Sequence, residues 1–195
     1  MDKPRATEIT DGISWVGVKD AARRVFDALI PLPYGTSYNA YLVTGKNRKT
    51  LIDTVQSGFE NELSTKIASI TPLETIDYIV MNHAEPDHAG SIPELLKLAP
   101  RAQLVATRKG VEMAGTFYRV PESRCLTIRD GDTLDLGGKT LRFIEAPWLH
   151  WPETMFTYAV QDKALFPCDF YGSHLTSDRI YDDEVGDLLI PEAKR

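Results

Sequence analysis

Cysteine, clustered basic residues and long apolar runs are all scarce in this chain. Only Cys125 and Cys168 occur, far apart and outside any C-x-x-C pair, so a reduced, structural role is expected for both. Lysine and arginine form no patch and the net charge is -6, which argues against a nucleic-acid or anionic-membrane partner, because phosphate binding needs clustered cations. No apolar stretch approaches the ~18 residues of a membrane span. Residues 1–20 lack the basic-then-apolar order of a secretory signal, so a cytoplasmic location is expected. Internal repeats, linkers and low-complexity segments are likewise missing. What is present is ordinary globular composition: 195 residues fit one domain that buries about 70% of its unfolded surface.

The chemistry concentrates in one stretch. His83, Glu85, Asp87 and His88 place four potential metal ligands within six residues. Residues 76–81 before them read as a short buried strand, and Ser91 and Glu94 after them have the capping-box spacing that starts a helix. The four therefore sit on a strand-to-helix loop, where binding groups are commonly presented, with the positive end of the following helix facing the same space. Any one of these residues alone would be read as a solvated loop residue. Together they match a metal site, since imidazole and carboxylate are ligands of zinc, iron and manganese, and alternate positions of an extended segment point the same way.

Along the rest of the chain, residues 8–18 alternate around the hairpin dipeptide Asp11-Gly12. Residues 21–30 have no clean period, and Pro31, Pro33 and Gly35 break them into a loop. Residues 37–43 and 49–53 are two strands of a second hairpin. Ser57 and Glu60 form another capping box, followed by an apolar stripe of Phe59, Leu63, Ile67 and Ile70 on a helix that Pro72 stops. Residues 75–81 are read as a strand, the helix after the ligand loop runs to about Leu98, residues 103–106 form a strand, 109–117 a helix and 124–128 a strand. Turns fall at Asp130-Gly131 and Gly137-Gly138. An aromatic loop around His150, between Trp148 and Trp151, precedes strands 154–160 and 164–168, and Asp169 follows directly. Strand-rich halves with helices between them predict an α+β layered sandwich of sheets covered by helices.

His150 and Asp169 occupy loop positions of the same kind as the first group, with 61 residues between His88 and His150 and 18 between His150 and Asp169. In motif, order and spacing the chain resembles the metallo-β-lactamase-like domain of the flavodiiron proteins, also called A-type flavoproteins, which reduce dioxygen or nitric oxide. The resemblance extends to residues 31–41, 51–55, 149–152 and 168–173. It implies an αββα sandwich and a non-haem diiron site in which His83, Glu85 and His150 ligate one iron, Asp87 and His88 the other, and Asp169 bridges them. Zinc hydrolases of similar fold usually carry a histidine where Glu85 stands, and a carboxylate there favours iron or manganese over zinc. Trp148 and Trp151 are candidates to wall the pocket, and Asn82 and Ser91 to support the ligands from behind.

Two departures from the family qualify this. Its final histidine ligand lies about sixty residues beyond the bridging aspartate, past Arg195, and its FMN-binding flavodoxin-like domain has no counterpart here. His174 is the one unused histidine, and relatives carry a similar residue without using it as a ligand. The expectation is an oxidoreductase fragment whose domain, residues 1–195, is incomplete at the C-terminus. Such a fragment would hold its second metal loosely and show weak activity alone. Electrons would come from an FMN domain or a rubredoxin-like protein, and a homo-oligomer is expected. The alternatives are a diiron oxygen-binding or sensing module without turnover, and a metal-dependent hydrolase.

Overall fold

The computed structural model describes residues 4–193. Its largest element is a seven-stranded sheet. In spatial order its strands are Thr7–Thr10, Ile13–Trp15, Tyr41–Thr44, Lys49–Ile52, Tyr78–Val80, Gln103–Thr107 and Cys125–Ile128. The first four pair antiparallel, the first pair and the third through short turns, and the last four run parallel to one another. Parallel neighbours need crossovers, and these supply the helices: α1 (Glu60–Ala68), then the single turn α2 (Pro86–Ala89) with α3 (Ile92–Leu98), then α4 (Arg108–Tyr118). A second, antiparallel sheet holds Thr133–Asp135, Thr140–Glu145, Met155–Ala159 and Ala164–Phe166.

Side-chain alternation builds two cores from the large sheet. Leu42, Leu51, Ile79 and Leu104 point to the helices and pack with Leu63, Ile67 and Leu95. Their neighbours Val43, Ile52, Val80 and Val105 point the opposite way and pack on Leu141, Phe143 and Met155 of the second sheet. Both faces are apolar because both are covered, as buried parallel strands require. The layers thus run helices, large sheet, small sheet, which is the α+β arrangement of a metallo-β-lactamase-like sandwich. The sheets are also tied at their turns: the N–H groups of Asn47 and Arg48 donate to the Leu136 carbonyl at 3.0 and 3.1 Å, and a Cβ at Gly45 would collide with that same carbonyl.

Local signals were overridden at several points. Residues 37–43 are two strands, Thr36–Tyr38 and Tyr41–Thr44, because the chain shifts at Asn39, whose side chain accepts from Trp15 Nε1 at 3.0 Å, from pairing with Val18–Asp20 to pairing with the large sheet. Residues 21–35 contain a small hairpin of Val25–Phe26 with Ile30–Pro31 that the sequence did not announce. The turn at Asp130-Gly131 carries the chain from one sheet to the other, so it closes no hairpin. Neither capping box forms. Helix α1 starts at Glu60, which folds back to accept the Gly58 N–H, and Ser91 Oγ donates to the Val55 carbonyl at 2.8 Å instead of capping α3. Among the described residues no helix is long and apolar enough to cross a membrane.

In the α1 stripe, Leu63 and Ile67 are fully buried whereas Ile70 is 42% exposed beyond the helix end. Leu63→Ala or Ile67→Ala should therefore lower the unfolding free energy by about 2–5 kcal/mol, and Ile70→Ala by less than about 0.5 kcal/mol, in urea titrations followed by circular dichroism. Equal losses at all three positions would contradict this packing.

Candidate metal centre

Ligands of open α/β sheets collect beyond the carboxyl ends of parallel strands, and the chemistry of this chain does the same. Strand Lys49–Ile52 delivers Asp53, strand Tyr78–Val80 delivers Asn82, His83 and Glu85, and strand Gln103–Thr107 ends at Thr107, the N-cap of α4. The second sheet adds the loop between Glu145 and Met155, with His150 and Glu153, and the segment after Phe166, with Asp169. Asn82 joins the two. Its carbonyl accepts the Met155 N–H at 2.9 Å, its amide donates to Asp53 Oδ2 and the Phe166 carbonyl at 3.1 and 3.3 Å, and its Oδ1 accepts from Thr157 at 2.7 Å.

The four residues of the first stretch do not share one extended segment. His83 and Glu85 lie on the loop, but Asp87 and His88 sit in the helical turn α2, which Pro86 begins. The Thr54 N–H and hydroxyl both donate to the His88 carbonyl, at 2.7 and 2.8 Å, and so clamp that turn from the neighbouring strand end. Asp53, which starts the clamp, has a left-handed φ of 53° that aspartate tolerates better than most residues.

The side chains converge as two groups of possible ligands: His83, Glu85, His150 and Asp169 in one, and Asp87, His88 and Asp169 in the other. Within each, the ligand atoms lie within 4.8 Å of one another, and Asp169 belongs to both. Its Oδ1 is 2.7 Å from His88 Nε2, and its Oδ2 is 3.2 Å from His150 Nε2 and 3.4 Å from His83 Nε2. His83, Glu85, Asp87 and His88 are buried; Asp169 is half-buried, and His150 is exposed at the mouth of a cavity of about 260 Å³.

Electrostatics follow from this crowding. Burial pushes the Asp87 carboxyl up to about 6, with Asp169 and Glu85 adding to the shift against the opposing pull of His88. Burial would lower His83, but the Glu153 and Glu85 carboxylates outweigh it and raise it to about 9. His88 also rises, its burial outweighed by Asp169, Asp53 and Asp87. Asp169 is held well below the usual carboxylate range, since its hydrogen bond with His88 and the nearby imidazoles outweigh desolvation. Asp87 Oδ1 and His88 Nδ1 are buried with no hydrogen-bond partner. Three carboxylates facing three imidazoles, with buried donor atoms left open and no lysine or arginine paired with them among the described residues, suit bound cations.

The supporting residues differ from those the sequence suggested. Ser91 bonds Val55 and does not reach the site, while Asn82 acts one step back, through Asp53. Trp148 is 72% exposed and walls nothing; Trp151 alone packs edge-on to His83, at 5.0 Å between ring centroids. His174 stands outside both groups, its Nδ1 3.1 Å from Thr36 Oγ1 and its ring against Phe26. Two acidic residues went unnoticed in the sequence. Glu153 Oε1 lies 2.8 Å from His83 Nδ1, and Asp53 Oδ2 stands 3.9 Å from His88 Nδ1. Both cysteines are free, as expected.

Comparison with known proteins agrees with the fold. A family model described as ODP family beta lactamase matches residues 36–188. The chain is 41% identical over 181 residues to flavo-diiron protein FprA2 of Clostridium acetobutylicum, covering 92% of this chain and 45% of that one. It is 38% identical over 197 residues to the nitric oxide reductase of Moorella thermoacetica, covering 100% and 49%. Among solved structures, rubredoxin oxygen:oxidoreductase from Desulfovibrio gigas superposes with a TM-score of 0.93 at 32% identity, over 97% of this chain and 47% of that one. The chain spans about half the length of the curated relatives it matches.

The Asn82 network gives a direct test of how the two sheets hold the site. Asn82→Ala removes the partners of the Thr157 hydroxyl and of Asp53 Oδ2 in the core, at a cost of about 1–3 kcal/mol for each group left unpaired. Ser91→Ala should cost about 1 kcal/mol or less, because the Val55 carbonyl keeps the Ser91 N–H. Urea unfolding of the two variants should rank them in that order; the reverse order would contradict the network.

Proposed function

The chain belongs to the ODP family of beta-lactamase-like domains, and we propose on that premise that it carries the diiron centre of a flavodiiron-type oxidoreductase. In this reading His83, Glu85 and His150 hold one iron, Asp87 and His88 hold the other, and the Asp169 carboxylate binds both. The observation that carries it is the membership of Asp169 in both donor groups. A mixed nitrogen and oxygen donor set of this kind suits a redox metal, and the carboxylate of Glu85 in the first group favours iron over zinc.

Irons held by these residues would supply the redox chemistry: two electrons, one per metal, for a pair of nitric oxide molecules, and for dioxygen two further electrons from the electron donor. Reduction of dioxygen to water or of nitric oxide to nitrous oxide is the corresponding activity. Two relatives point to the same pair of substrates, one named a nitric oxide reductase and the other a rubredoxin oxygen:oxidoreductase. The protein's own groups set the geometry. Asp169 spans the two positions, Trp151 packs edge-on to His83, and the cavity lined by His150 admits a small molecule. Electrons come from an FMN domain or a rubredoxin-like protein, and the chain acts within a homo-oligomer.

The test is anaerobic reconstitution with ferrous iron. Two irons per chain are expected, and Asp169→Ala should retain at most one. A stoichiometric pulse of dioxygen or nitric oxide should then oxidise the wild-type iron, followed as a new near-ultraviolet absorption. A chain that retains no iron, or whose iron is inert to both gases, would overturn the proposal.

A further inference from the structure

Glu153 is the most deeply buried acid near the site, 2% exposed, and no role in the reading above falls to it. Two other segments fix it. Its backbone carbonyl accepts from Thr107 Oγ1 at 3.0 Å, at the start of α4, and its Oε1 accepts the Ala84 N–H at 2.8 Å. The same oxygen lies 2.8 Å from His83 Nδ1. An oxygen that already accepts the Ala84 N–H meets Nδ1 as an acceptor, so His83 Nδ1 carries the proton and Nε2 is the nitrogen turned to Glu85 and Asp169, at 3.1 and 3.4 Å.

The other two imidazoles lack such a hold. His88 Nδ1 is 3.9 Å from Asp53 Oδ2, beyond hydrogen-bond range, and His150 has a carboxylate only on its Nε2 side among the described residues. Carboxylates behind ligating histidines fix the tautomer and the ring plane and strengthen the ligand. We propose that Glu153 is a positioning residue for His83, locking it as the Nδ1–H tautomer and making the group His83, Glu85, His150 and Asp169 the tighter of two cation positions. This rests on the metal-centre reading of the site.

The experiment uses cobalt(II) alone, added stepwise to the metal-free 195-residue chain. Visible absorbance reports each binding step, and paramagnetic proton NMR reports exchangeable protons on bound imidazoles. The wild type should show two unequal steps, with one slowly exchanging imidazole N–H that appears with the tighter step. Glu153→Gln keeps an oxygen for the Ala84 N–H but loses the charge, and its amide can also donate to Nδ1. It should weaken the tighter step about 10–100-fold and leave the weaker step unchanged. Glu153→Ala, with circular dichroism matching the wild type, should do the same and also abolish the slow N–H. A variant that binds as the wild type does overturns the role of Glu153 alone, as does a wild type whose tighter step brings no slow N–H. A wild type that takes up no cobalt overturns the metal-centre reading with it.

Discussion

Three carboxylates, Glu85, Asp87 and Asp169, meet three imidazoles at the edge of the core, and the rest of the structure depends on keeping them together. The surrounding carboxylates raise both His83 and His88 above the usual histidine range despite their burial, so each offsets part of the negative charge. That compensation is incomplete: Asp87 is pushed up to about 6, and buried atoms on Asp87 and His88 have no partner. Burying charges is costly unless they are paired or coordinate a cation, so a fold that gathers these six side chains has been shaped around something they bind.

The architecture supplies the rigidity this requires. No single segment carries the site. His83 to His88 arrive from the large sheet, while His150 and Asp169 arrive from the small one, so the centre forms only when the two sheets dock. The docking is apolar across the layer of Val43, Ile52, Val80 and Val105 against Leu141, Phe143 and Met155, and it is pinned by Asn82 directly beneath the site. A slip of one residue at any strand of the large sheet would exchange its two faces, and with them the register of every loop at the carboxyl ends.

Much of this was legible in the sequence, for identifiable reasons. The cluster from His83 to His88 is local, and the strands, the α4 helix and the Gly137-Gly138 hairpin follow from periodicity and turn chemistry that tertiary packing leaves undisturbed. Glu153 was hidden because its meaning depends on His83, seventy positions earlier, and because Pro152-Glu153 reads locally as a turn. Asp53 was hidden in the same way, as the polar end of a strand. The capping box at Ser91 failed because its serine has another partner: the Val55 carbonyl takes the Ser91 hydroxyl. Trp148 looked like a pocket wall only because it neighbours His150 in sequence; its φ of 68° turns the backbone, and its side chain remains exposed.

The claim on which everything turns is that Asp169 lies between two metal positions. Anomalous diffraction at the iron edge, from crystals of the chain reconstituted with ferrous iron, tests it most directly. The account predicts two peaks flanking the Asp169 carboxylate, one beside His83, Glu85 and His150 and the other beside Asp87 and His88. A single peak, or a pair with Asp169 outside the space between them, would contradict it.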